Sequence, residues 1–431
     1  MKKYFFILVI VLVVCICFCK YNQVGAKENI AVLKNDTLPF QTLGKVEKGQ
    51  IIIDKIIDLG GGIYELPKEL TLTHKAGIIK NGTLIGNMTR LNGKEKLFDK
   101  VTIKGSWEVP VISTKLFADL SYENALKDVI ALTHPEIQNT VVIEDGDYKV
   151  RTLKDKDVCI LLRDNTTLEL KGTISLIPNS YKTYYIIRAR GKNIIIKGDG
   201  TIIGDKQAHS GTDGEWGMGV DIRGAVDSSV SGLTIRNCWG DCIYVGGNSK
   251  NIQIEDCILD HGRRQGISVT KADGVTIRNC KITNIGGTDP EYAIDVEPNA
   301  NDTVDNVLIE NVIVKDCKGG FLAYKALKPQ GTTIGNIVIR NCTLSVFNKY
   351  PICLKRSQSA LVEKCIINVS NTKPAIKTED VQQVNIKENT ININNNTLSK
   401  IQKSVSKKNY RPIQISNATK KNVGSNIIIG M

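Results

Sequence analysis

Six short stretches decide the fold: LTIRNC (233–238), IQIEDC (252–257), VTIRNC (275–280), VLIENV (307–312), IVIRNC (337–342) and ALVEKC (360–365). All are variants of one strand. A second series interleaves with them: GVDIRG (219–224), CIYVGG (242–247), GISVTK (266–271), AIDVEP (293–298), ICLKRS (352–357) and PAIKTE (374–379). Each repeat is about 20 to 30 residues of alternating strand without room for a helix, which is the spacing of a solenoid. A unit this small cannot bury its apolar face alone, whereas stacked copies share one continuous core. The expectation is an all-β chain folded as a right-handed single-stranded parallel β-helix.

Working upstream, IIIDKIIDLGGGIYEL (51–66), GIIKNGTLIGN (77–87) and KVTIKGSWEVPVI (100–112) read as further short strands. They predict a β-rich N-terminal cap or small coil region over residues 27–115. One helix is expected, leading into the solenoid: Ser121 as N-cap, then Tyr122, Ala125, Leu126, Val129 and Ile130 on one stripe before Pro135. The β-helix is expected over 116–395, with 396–431 as a closing segment.

Composition agrees with this. Thirty-seven Gly against 11 Pro and 6% aromatics in 431 residues suit many tight turns between thin strands. At 42% hydrophobic and 23% charged residues, the chain is neither disordered nor polytopic. Lys2 and Lys3 precede an apolar run from Tyr4 to Cys19, and Val24-Gly25-Ala26 offers small residues for cleavage. This reads as a signal peptide over 1–26 whose apolar run is short for a membrane span, so a secreted, periplasmic or cell-envelope location is expected. Its removal takes Lys2, Lys3 and Lys20 and no acid, lowering the formal charge from +13 to +10. No dense basic run with interleaved aromatics is present, so nucleic acid is not an expected partner. After the leader there is no integral membrane domain, and lateral packing of solenoids leaves an oligomer open. Three of the 12 Cys lie in the leader. Cys238, Cys257, Cys280, Cys342 and Cys365 recur at one place in the repeat, which argues for an inward thiol ladder rather than disulfides or a zinc site.

At this point the sequence resembles the pectin-lyase-like β-helix superfamily, most closely the polygalacturonase branch of the glycoside hydrolases. The resemblance runs from about 116 to 390. It is carried by NALKDVIALTHPEIQNTVVIEDGDYKV (124–150), NTTLELKGTISLI (165–177), GDGTIIG (198–204), GDCIYVGGNSKNIQI (240–254) and QGISVTKADGVTI (265–277). It implies a carbohydrate-active enzyme. The catalytic motifs depart from that branch. Met218 stands where the first aspartate would fall, and Gly240-Asp241 replaces an Asp-Asp pair. Gln265 replaces the histidine, and Asp295 and Glu297 replace an Arg-x-Lys clamp on the substrate carboxylate.

Strand alternation places the remaining side chains. With Ile243/Val245, Ile267/Val269 and Ile294/Val296 inward, one outer face gathers Asp221, Asp241, Tyr244, Gln265, Ser268, Tyr292, Asp295 and Glu297 on four coils. Asp295 and Glu297 are two residues apart on one strand, so their Cβ atoms lie about 6.5–7 Å apart. That is the short edge of the roughly 6.5–9.5 Å separation of inverting glycosidases. Asp241, Asp295, Glu297 and Arg264 are therefore the expected catalytic set. Trp216, Trp239, Tyr244, His261, Arg263, Gln265, Tyr292 and Lys325 are the expected substrate-binding set, and polysaccharide is the expected partner. No cofactor or metal is required. The alternative reading has the same acids take up Ca²⁺ while Arg264 abstracts a proton, as in polysaccharide lyases; a third has a glycan-binding solenoid without catalysis.

Overall fold

The computed structural model describes residues 46–430, apart from 48, 94, 328–330 and 405–409. The expected signal peptide lies outside the described residues. The chain divides into two compact units, one ending at Glu108 and the other beginning at Val109.

The first unit is a seven-stranded sheet. Its longest strands, Ile78–Asn92 and Phe98–Glu108, pair in parallel. Trp107, Phe98, Leu72 and Leu84 are buried in it.

The second unit is the right-handed parallel β-helix. A typical coil gives two strands to a 22-stranded sheet and one to an 11-stranded sheet, as Ile243–Gly246, Ser249–Glu255 and Ile258–Asp260 do. The strands that carry the outer face of interest are β1 (Trp216–Ser231), β2 (Ile243–Gly246), β3 (Ile267–Val269), β4 (Tyr292–Val296), β5 (Gly319–Tyr324), β6 (Ile352–Lys355) and β7 (Ile376–Glu379). They pair in parallel and in register. Val220, Ile243, Ile267, Ile294, Phe321, Ile352 and Ile376 form one buried interior row. Stacking apolar, mostly β-branched residues coil on coil is what makes so short a repeat stable.

Turns are held by a polar ladder. Asp256, Asn279, Asn311 and Asn341 all adopt φ near +55°, a backbone region that Asn and Asp tolerate better than other side chains. Asn279 donates to Asp256 at 3.1 Å and Asn311 to Asn279 at 2.7 Å. The nine cysteines from Cys159 to Cys365 are all buried and free, the five at the repeat position among them.

Two elements differ from expectation. The helix α1 is shorter, Ala125–Ile130, and begins after Asn124 rather than Ser121. Asn124 has φ +64° and its side chain accepts from the Arg151 amide at 3.0 Å, so it ends the preceding turn instead of continuing a helix. Ala125, Leu126 and Val129 still face the core. The solenoid also runs past 395: after helix α2 (Asn395–Ser404), strands Ile413–Ser416, Lys420–Val423 and Ile427–Ile429 add a further coil. Among the described residues no helix is long and apolar enough to cross a membrane.

Candidate active site

The parallel register sets two outward rows side by side. In one, Asp221, Tyr244, Ser268 and Asp295 stand on successive coils β1 to β4. Asp241 and Gln265 lie three residues before Tyr244 and Asp295's neighbour Ser268, on the adjoining row. A cavity of about 400 Å³ opens on this face, with Trp216, Tyr244, Arg264, Ser268, Asp295 and Glu297 in its wall. The turn Pro298–Ala300 and the residues Ala326 and Thr332 close its far side.

Asp295 is 2% exposed, and Gln265 Nε2 donates to its Oδ2 at 2.6 Å. Its Oδ1 is buried without a hydrogen-bond partner. Burial, then the charge of Glu297, pushes the Asp295 carboxyl well above the usual carboxylate range, although Arg264 and Gln265 pull the other way. Asp241 is fully buried behind the cavity wall, where Ser268 Oγ donates to it at 2.8 Å and Arg264 Nη1 at 3.4 Å. Its carboxyl is pushed up to about 6 by burial, against the opposing pull of Arg264 and Ser268. Arg264 also reaches Glu215 at 3.3 Å. Burial works against its charge, and Asp241, Asp295, Glu215 and Glu297 more than offset it. The arrangement is one cation clamped among four acids, with two acids raised by desolvation.

Several expected binding residues sit elsewhere. Trp239 is 8% exposed, and two flat groups stack on its ring: His209 at 3.9 Å between centroids and the Arg263 guanidinium at 3.8 Å. No face of it is left for a sugar. Arg263 is spent in that stack and in a 2.8 Å bond to the Gly214 carbonyl. His209 is itself held 2.9 Å from Asp205, whose other oxygen accepts from Tyr184. This bracket pins the segment before Glu215 over the strand, and alternation alone could not foresee it. Tyr292 is buried, its ring packed where a side chain on Gly319 would have to go. His261 follows Ile258–Asp260 in the 11-stranded sheet and pairs with Asp260 at 2.6 Å, away from the cavity. Lys325 lines a separate cavity. Gln265 is fully buried and acts on Asp295 rather than facing the cavity.

Trp216, 47% exposed, and Tyr244, bonded to Thr270 at 2.7 Å, do line the cavity. Ser268 and Glu215 are the contributors to which the residue pattern assigned no role. Ser268 was legible as an outward hydroxyl between two outward acids, and Glu215 as an acid beside Trp216. Among the described residues no three His, Cys, Asp or Glu side chains converge as a metal would need, and Arg264 is engaged by carboxylates on two sides.

These features place the molecule among the right-handed parallel β-helix proteins. The chain belongs to the family described as right handed beta helix region, which matches residues 141–306 and 289–429. Two relatives come from Bacillus subtilis (strain 168). The SPbeta prophage-derived uncharacterized protein YorA is 30% identical over 154 residues, which is 30% of this chain and 26% of that protein. Uncharacterized protein YclG is 32% identical over 165 residues, 32% of this chain and 28% of that protein. The chain thus spans under a third of the length of either. Among solved structures, the A-module of the Azotobacter vinelandii mannuronan C-5 epimerase AlgE6 shares the fold with a TM-score of 0.50 at 13% identity, covering 73% of this chain and 97% of that one. An exopolygalacturonase from Thermotoga maritima gives 0.46 at 13% identity, over 73% and 89% of the two chains. The resemblance to pectin-lyase-like proteins holds for the fold, and at these identities it speaks for the fold alone.

Proposed function

We propose that this is an exported glycoside hydrolase that cuts a polysaccharide in the cavity between β2 and β4. One observation carries the reading: Asp295 and Glu297 share the cavity wall, two residues apart, in unlike surroundings. A carboxyl raised by burial beside a second carboxyl in the same wall is the pairing that glycoside hydrolysis uses.

Asp295 is the general acid. Its Oδ2 is held by Gln265, so the proton resides on the unpaired Oδ1 and passes to the leaving glycosidic oxygen. Glu297 is the base: it takes a proton from water as the water oxygen attacks the anomeric carbon from the opposite face and the glycosidic C–O bond breaks. The Cβ atoms of the two, about 6.5–7 Å apart by strand spacing, lie at the short edge of the inverting range. Asp241, with Ser268 and Arg264, fixes the floor of the site, and Trp216 offers the open aromatic face for the sugar. Export rests on the leader read in residues 1–26.

The purified chain is screened on neutral and acidic polysaccharides, with and without chelator, counting reducing ends. The epimerase module of the same fold, named for mannuronan, puts polymeric sugars first. Reducing ends released by the wild type and lost in Asp295→Asn support the proposal. Binding without release, or an ultraviolet-absorbing unsaturated product, overturns it.

A further inference from the structure

Beyond Ala326 and Thr332 a second cavity of about 390 Å³ opens, with Lys325, Arg356, Ser357, Gln358, Asp380 and Gln382 in its wall. The register Tyr324–Lys355–Glu379 places Arg356 at the corner just after β6. It stands two coils from Glu297, about 10 Å along the solenoid.

The electrostatics of this cavity are opposite to those of the first. Lys325 Nζ donates at 2.8 Å to the Thr332 carbonyl, a neutral partner. Arg356 donates through Nη1 to the Lys325 carbonyl at 2.8 Å and lies over the Tyr324 ring at 5.4 Å. It forms long ion pairs with Asp380 at 3.6 Å and Glu379 at 3.9 Å. Glu379 is already taken by Lys355 and Lys377, each at 3.2 Å. Around this corner four cations thus face two carboxylates. One polar group lacks a partner here: the Oγ of Ser357, a residue only 3% exposed. A buried hydroxyl left unpaired at a cavity wall costs stability unless something completes it.

We propose that this second cavity is a subsite for an anionic sugar unit, one bearing a carboxylate, sulfate or phosphate, bound two coils from the carboxylates that cut. Arg356 and Lys325 pair with the anion, Arg356 able to do so through two N–H groups. Ser357, Gln358 and Gln382 meet the ring hydroxyls. The inference rests on the polysaccharide part of the proposed function and not on hydrolysis. It makes the substrate mixed in charge, neutral beside Asp295 and Glu297 and acidic further along.

Binding to a printed array of neutral, uronate-bearing, sulfated and phosphorylated glycans tests it, with wild type, Arg356→Gln and Lys325→Gln compared. Thermal melts run beside the array, and the rim variant Lys325→Gln is informative even where Arg356→Gln folds poorly. Acidic glycans are expected to be retained, with retention falling at least tenfold in the folded variants and weakening as salt rises. The acidic class retained identifies which anion is meant. Retention of neutral glycans only, no retention at all, or folded variants within twofold of wild type overturns the subsite. Acidic retention without release of reducing ends sinks the hydrolase and leaves the subsite standing. Release of reducing ends from a polymer, with no acidic glycan retained by the wild type, does the reverse.

Discussion

Gln265 donates to Asp295 Oδ2 at 2.6 Å across adjacent coils, while Asp295 Oδ1 stays buried and unpaired. One oxygen of the carboxyl is thereby anchored, and under the proposed mechanism the other carries the transferable proton. Because that bond favours the ionised form, Gln265→Leu leaves Asp295 protonated to higher pH. The alkaline limb of kcat/KM, where the general acid deprotonates, is expected to move upward in the variant. A limb that stays in place or moves down removes Asp295 from the acid role.

Asp295→Asn and Glu297→Gln are each expected to lower kcat by about 10² to 10⁴, the usual contribution of a general acid or base. Neither change alters side-chain volume much, so melting temperatures should stay close to wild type. A folded variant that keeps more than about a tenth of kcat, a loss under roughly 1.4 kcal/mol, shows that residue to be dispensable.

Asp241 makes a separate statement about stability. Its carboxyl is raised from 3.8 to about 6 in the fully buried site. The folded chain therefore holds a proton that the unfolded chain has lost between those values, and stability from this group is full below about pH 4 and gone above about pH 6. A shift of about two units corresponds to about 3 kcal/mol. Asp241→Asn should remove this slope: the difference in unfolding free energy between wild type and variant changes by about that amount from pH 4 to pH 7, with wild type relatively weaker at pH 7. Denaturant unfolding at the two pH values measures it, and a constant difference contradicts the raised carboxyl.

How far the residues foretold the site follows from what alternation can report. The apolar pairs Ile243/Val245, Ile267/Val269 and Ile294/Val296 told the fold and which side chains turn outward. Parity therefore put Asp295, Glu297 and Tyr244 on the same wall. It cannot tell what lies over an outward side chain. Trp239 and Arg263 face out of their own coil, yet the Asp205–His209 bracket and the Gly214 carbonyl cover them. The second cavity is built from corner residues such as Ser357 and Gln358, where period two ends and no pattern speaks.

The two tryptophans separate binding from folding. Trp216 is half-exposed at the cavity mouth, so Trp216→Ala should raise KM about tenfold, within the worth of an aromatic contact, at unchanged melting temperature. Trp239→Ala breaks the stack with His209 and Arg263 and should cost about 3–5 kcal/mol of stability. Binding loss in Trp239→Ala with no loss of stability would reverse the assignment of these two residues.

The last expectation concerns the sugar that sits at the point of cleavage. Asp295 and Glu297 occupy the strand positions at which polygalacturonases, by the resemblance above, carry a cationic clamp. A galacturonate carboxylate placed there meets Glu297 directly, and Asp241 and Asp295 lie behind it. Arg264 does not relieve this, because Asp241 and Glu215 already hold it at 3.4 and 3.3 Å. Like charges in a partly desolvated groove disfavour the wrong ligand by several kcal/mol. Unbranched polygalacturonate, charged at every unit, cannot place a neutral ring between the two carboxyls, whatever Arg356 and Lys325 offer further along. No useful release of reducing ends from it is expected, while a polymer with neutral units at intervals should be cut. Robust, chelator-insensitive hydrolysis of polygalacturonate by the wild type refutes the charge argument.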